Sequence, residues 1–244
     1  TATTEIYTLA LHDALPICWG LRDACLAYNL PLVSGKDSMK NDARIGGRKV
    51  SVKPTLLVTV MGIISDCRRA LTTDFKAPGG LIYLLGESDG ALGGSCYEKI
   101  LRRPLGPGPK ADLAAASSMY RKFHEAAAAG LAATCHDVSD GGLAVALAES
   151  CLGGRLGAVI DADGLPGGLQ GILFGEGPSR FVVEVKPENA GAFERVMAGS
   201  ACRKIGSVSA DDVLVIRRGG AEILRAGLDE IETAWKSFAK ELLS

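Results

Sequence analysis

Three short stretches hold residue types able to handle phosphate or a divalent cation. Ser34-Gly35-Lys36-Asp37-Ser38 places a glycine, an ammonium, a carboxylate and a hydroxyl in consecutive positions. It is not a P-loop. That motif needs a glycine five residues before Gly35, where Leu30 stands, and Ser or Thr after the lysine, where Asp37 stands. An ordinary polar turn explains it equally well. His136-Asp137-Val138-Ser139-Asp140-Gly141-Gly142-Leu143 sets two carboxylates and two glycines between a strand and a helix. Glycine lets backbone approach a ligand closely, and a helix N-terminus offers N–H groups to phosphate. Asp137 or Asp140 supplies the oxygen ligands that Mg²⁺ takes. The competing reading makes Ser139 or Asp140 the helix N-cap. Phe174-Gly175-Glu176-Gly177-Pro178-Ser179-Arg180 puts a glutamate and an arginine around a tight turn, where a surface ion pair is the plain reading. Gly93-Gly94-Ser95 reads as a helix start. With His12 set aside, His124 and His136 are the histidines that remain, and neither pairs with a nucleophile in the sequence.

The elements that must position these residues alternate between strand and helix. Residues 18–29 suit a helix ended by Pro31, and Leu32–Val33 a short strand leading into Ser34. Residues 41–49 read as a polar surface loop, and 50–64 as a strand rich in β-branched residues, with Pro54 near its start. Pro78-Gly79 is the expected domain boundary. Beyond it, strands are expected at 81–85, 131–135, 157–161, 180–185, 203–208, 212–217 and 222–225. Helices are expected at 111–129, 143–152, 188–198 and 228–242, the last with Leu228, Ile231, Trp235, Phe238 and Leu242 at helical spacing. This alternation predicts an α+β sandwich.

Composition narrows the function. The chain has 244 residues, 27 basic and 28 acidic, for a net charge of −1. That balance gives no field for nucleic acid. No apolar run approaches the ~20 residues that span a bilayer. The seven scattered cysteines form no C-x-x-C, which argues against a zinc site or a disulfide framework and for reduced, mostly buried thiols in a cytoplasmic protein. Residues 1–17 do not begin with Met and resemble a translated sequencing adaptor. They are set aside, with His12 and Asp13, and native sequence is expected from Cys18.

Taken in order, PLVSGKDSMKN (31–41), 54–61, ALTTDF (70–75), 81–97, HDVSDGGL (136–143) and 174–181 resemble the phosphoribosylformylglycinamidine synthase family. Selenophosphate synthetase and thiamine-monophosphate kinase share the fold, but residues 34–41 resemble them less. The resemblance implies a PurM-like architecture: part of an N-terminal barrel-forming domain (18–78) and a complete α/β C-terminal domain (79–244), from the second of two tandem copies. The implied reaction joins formylglycinamide ribonucleotide with glutamine-derived ammonia at the expense of ATP. It implies that Gly35 meets ATP, Lys36 the phosphates and Ser38 the substrate. Some family members carry Asn at the Lys36 position as a metal ligand. A protonated lysine cannot ligate Mg²⁺, so a phosphate contact is the role implied here. A second nucleotide site, holding ADP and Mg²⁺ in long members, maps to Asp137 for metal and to Ser139, Gly141 and Gly142 for nucleotide. The family's catalytic histidine has no counterpart in residues 18–244. The implied partners are the first copy of the unit and a separate glutaminase subunit.

Overall fold

The structure, a computed structural model, describes residues 17–36, 42–51, 57–87 and 89–243. The chain divides into two compact units, Thr1–Ser65 and Asp66–Ser244. In the first, helix α1 (17–28) ends at Asn29, whose φ of 54° turns the chain before Pro31. The expected strand at Leu32–Val33 has no regular structure. The polar stretch read as a loop is instead a β-hairpin, β1 (Asp42–Ile45) against β2 (Arg48–Ser51). Gly46 and Gly47, at φ 57° and 80°, form its two-residue turn. Positive φ at both central residues matches the twist of the flanking strands, which is the signal that the loop reading missed.

The expected strand 50–64 also changes. Val50 and Ser51 lie in β2, while 57–64 form no strand, and Pro54 lies outside the described residues. A β-branched run becomes a strand only when a neighbour completes its ladder. No strand pairs with 57–64 among the described residues.

The second unit carries a seven-stranded mixed sheet. Its strands are β3 (Leu81–Leu85), β4 (Thr134–Asp137), β5 (Gly157–Asp161), β6 (Phe181–Val185), β7 (Cys202–Ser209), β8 (Val213–Arg218) and β9 (Ala221–Gly227). Their order is β4-β6-β3-β7-β5-β8-β9, and all pairs are antiparallel except β5 with β8. Alternation divides the apolar residues between two faces. Ile82, Leu84 and Val182 face a core with α4 (Gly142–Gly154), α5 (Leu169–Phe174) and α7 (Leu228–Leu243). Tyr83, Leu85 and Val183 face a second core with α3 (Leu113–Ala128) and α6 (Ala190–Met197). The architecture is therefore the expected α/β sandwich, with helices on both faces of the sheet.

This unit reaches upstream of Pro78-Gly79, since Phe75 is buried in the first core. Helices α2 (Cys96–Leu101) and α5 were not expected beyond a helix start at Ser95. Each has only six residues, too few to show a helical period. In α7, Leu228 and Ile231 pack on the core but Trp235 is exposed. Of the cysteines only Cys151 is fully buried, and Cys18 and Cys67 are exposed, so the expectation of mostly buried thiols fails. Among the described residues no helix is long and apolar enough to cross a membrane.

Candidate functional site

Strand registers bring four loops to one rim of the sheet. Leu85 pairs with both Phe181 and Cys202, and Phe181 also pairs with Asp137. The chain leaves β3 and β4, and enters β6 and β7, at that rim. Strand β4 begins three residues later than expected, at Thr134, which makes Asp137 its last residue.

Asp137, Ser139 and Asp140 are exposed at this rim. His136 lies between two carboxylates: Nδ1 is 3.3 Å from Asp137 Oδ1 and Nε2 is 3.0 Å from Glu149 Oε2. The turn closes with Gly142 N–H donating to Ser139 O at 3.0 Å. Gly141 and Gly142 both have positive φ, 83° and 73°. A Cβ on Gly142 would lie 2.7 Å from the Phe174 backbone, so close packing of the chain on itself requires glycine there.

Neither Ser139 nor Asp140 caps α4. The N-cap is Gly141, with no side-chain cap. Glu176 intervenes instead. Its Oε1 accepts from Gly141 N–H and from Cys96 N–H, both at 2.8 Å. One carboxylate oxygen thus joins the starts of α2 and α4, where the positive ends of helix dipoles favour a negative group. The surface ion pair read between Glu176 and Arg180 is absent from the described contacts. Arg180 is instead 2% exposed and donates through Nη1 to Gly175 O at 2.9 Å. Burial pulls its pKa down, opposed by Asp89. Phe174 stacks on Tyr97 with centroids 5.0 Å apart, packing the Glu176 turn against α2.

Cys96 Sγ lies near carboxylate oxygens of Asp140 and Glu176, all within 4.8 Å of one another. Burial first, then Glu176 and Asp140, holds the Cys96 thiol above its ordinary pKa. Burial likewise pushes Cys135 and Cys151 up to about 12. None of these three thiols is a ready nucleophile.

Asp137, Ser139 and Asp140 each expose an oxygen of the hard type that Mg²⁺ takes. Gly35 and Lys36 are exposed in the N-terminal unit, and Ser38 lies outside the described residues. The sequence-predicted residues therefore fall into two groups on separate units. Sequence reasoning found the 136–143 turn. It missed the Glu176 bridge, whose only signal is a glutamate between two glycines.

A seven-stranded mixed sheet with helices on both faces and a glycine-lined polar rim defines an α/β sandwich of the kind that presents ligand loops at strand ends. The chain belongs to the AIR synthase related proteins: residues 77–218 match the model of their C-terminal domain. Among solved structures it is similar to Thermotoga maritima PurL complexed with FGAR, at 20% identity and a TM-score of 0.60 over 68% of this chain and 30% of that one. It is also similar to phosphoribosylformylglycinamidine synthase II from Thermotoga maritima, at 18% identity and a TM-score of 0.55 over 68% and 28%. Hydrogenase maturation protein HypE matches at 20% identity and a TM-score of 0.50 over 68% and 57%. At these identities the likeness shows the fold. The chain spans less than a third of the PurL structures that it matches.

Proposed function

We propose that this chain is part of an ATP-dependent, amidine-forming C–N ligase of the phosphoribosylformylglycinamidine synthase type, and that its C-terminal unit holds a nucleotide. The observation that carries the reading is the 137–142 rim: an exposed carboxylate and hydroxyl at a strand end, followed by the N-terminus of the 13-residue helix α4. The family match and the PurL structures solved with ATP and with ADP support it.

In this reading Asp137 holds Mg²⁺ and Ser139 meets the nucleotide. Glu176 already takes the Gly141 N–H, so the roles of Gly141 and Gly142 are conformational. Bound Mg²⁺ supplies positive charge to phosphate oxygens. In the N-terminal unit Gly35 approaches ATP, Lys36 contacts its phosphates, and Ser38 binds the ribonucleotide. The substrate amide oxygen attacks the γ-phosphorus and ADP leaves. Ammonia then adds to the amide carbon, and phosphate departs with the former amide oxygen. Lys36 stabilises charge on the transferring group. The exposed apolar run Leu57–Ile64 supports a missing partner surface, which the proposal assigns to the first copy of the unit. A separate glutaminase subunit supplies the ammonia.

The test is turnover in the enzyme assembled with that first copy. Lys36→Ala lowers kcat at saturating substrate, and unchanged turnover overturns the role of Lys36. A second reading, a nucleotide-binding half without activity of its own, is favoured by the separately cored C-terminal unit. The chain by itself then binds Mg·ADP without catalysing any step.

A further inference from the structure

Among the described residues, two buried side-chain polar atoms have no hydrogen-bonding partner: Arg180 Nε and Ser200 Oγ. Both residues line the same cavity of ≈ 190 Å³. Arg180 is 2% exposed, and its Nη1 is already fixed by Gly175 O at 2.9 Å. The guanidinium is therefore held from one side while its Nε–H has no acceptor. Buried donors are normally paired, and an orphan calls for an explanation.

The rest of the wall indicates what an occupant must be. Leu84 and Ile172 are apolar, and Gly86 and Cys202 present backbone and a thiol. Burial, then Glu194, pushes that thiol up to about 11, so it brings no charge. Arg203 lines the cavity and is exposed, as is Glu87. Two guanidiniums face one carboxylate there, with Asp89 acting on Arg180 from nearby. A hydrocarbon would leave both donors unpaired. An oxyanion satisfies both, and a guanidinium edge matches carboxylate or phosphate oxygens. A second cavity of ≈ 430 Å³ shares Gly86, Glu87, Ser200 and Ala201 with the first, leaving space for the body of a larger molecule.

We propose that the Arg180–Ser200 cavity is a binding site for a small molecule bearing a phosphate or carboxylate group, with the anion on Arg180 Nε–H and Ser200 Oγ–H. It involves none of residues 137–142 and does not depend on the nucleotide reading.

The test follows the Arg180 Nε–H resonance of the full chain by ¹⁵N NMR, assigned by its loss in Arg180→Lys. Sodium phosphate and sodium acetate are titrated separately, with sodium chloride at matched ionic strength as control. A saturable shift with phosphate identifies a phosphate site, and one with acetate a carboxylate site. Ser200→Ala then weakens that binding by about tenfold, as expected for one hydrogen bond to a charged group. If neither anion shifts the resonance beyond chloride, or if Ser200→Ala titrates like the parent chain, the proposal is overturned. Should Arg180→Lys not fold, the chain is followed by its thermal midpoint in the same salts, with the Ser200→Ala comparison read in the same way.

Discussion

The two units use similar apolar residues with opposite results. In the C-terminal unit Ile82, Leu85, Leu147 and Val183 are fully buried. In the N-terminal unit Leu57 is 87% and Ile63 100% exposed. Both Leu81–Leu85 and 57–64 read as strands, yet among the described residues only the first finds neighbours: β6 on one side and β7 on the other. Strand character in a sequence is a capacity to pair, and it becomes structure only where the chain supplies the partner. The polar rim of the C-terminal unit rests on this difference, because paired strands fix the loops that carry Asp137, Glu176 and Arg180.

The contrast breaks most readily through truncation of side chains. Leu147→Ala should cost about 2–5 kcal/mol in chemical denaturation, since it opens a cavity in the first core. Leu57→Ala should stay within about 0.5 kcal/mol. Similar losses at both sites would abolish the distinction. Glycine substitutions sharpen it. Gly142→Ala adds a collision with the Phe174 backbone to the strain of positive φ. Gly46→Ala meets nothing within 4 Å and carries only the strain, about 1–2 kcal/mol. Denaturation midpoints and local hydrogen exchange should therefore show Gly142→Ala as the more damaging change.

A smaller effect concerns pH. Glu184 is buried in the sheet and accepts from Lys76 N–H at 2.7 Å and Ala77 N–H at 3.3 Å. Burial raises its pKa above the ordinary 4.5, against the pull of those two bonds. A raised pKa means that the folded state binds the proton more tightly. The contribution to stability is complete below pH 4.5 and is lost as pH climbs through the raised value. Glu184→Gln removes this titration, so its stability relative to the parent should rise with pH above 4.5. Parallel stability curves would contradict the assignment. Small too is the effect of Lys49→Ala, which breaks an exposed 2.9 Å ion pair with Asp42 in the hairpin. It should change stability by no more than about 1 kcal/mol.

Much of the C-terminal unit was legible because β3, β6 and β8 contain short apolar runs, with glycine flanking β3, and because α3 and α4 are long enough to show their identity. Helices α2 and α5 were not legible, since six residues hold less than two turns. The hairpin was legible in principle: Gly46-Gly47 between two four-residue strands is a turn signal, masked by the polar flanks. The 136–143 turn stood out because its carboxylates and glycines are contiguous. Glu176 binds N–H groups 80 and 35 residues away in the chain, and such a contact exists only after folding. The pairing of Arg180 with Ser200 around one cavity is equally a product of sheet register. The 174–180 turn marked Arg180 only as half of a surface ion pair, and no local pattern marks Ser200.

Isothermal titration of the chain with Mg·ADP reads out whether the proposed rim at Asp137–Gly142 holds a nucleotide. The expected result is saturable binding at one site, weakened at least about tenfold in Asp137→Ala and unchanged in Lys49→Ala. Absence of binding by the parent chain, or equal binding by Asp137→Ala, would contradict it.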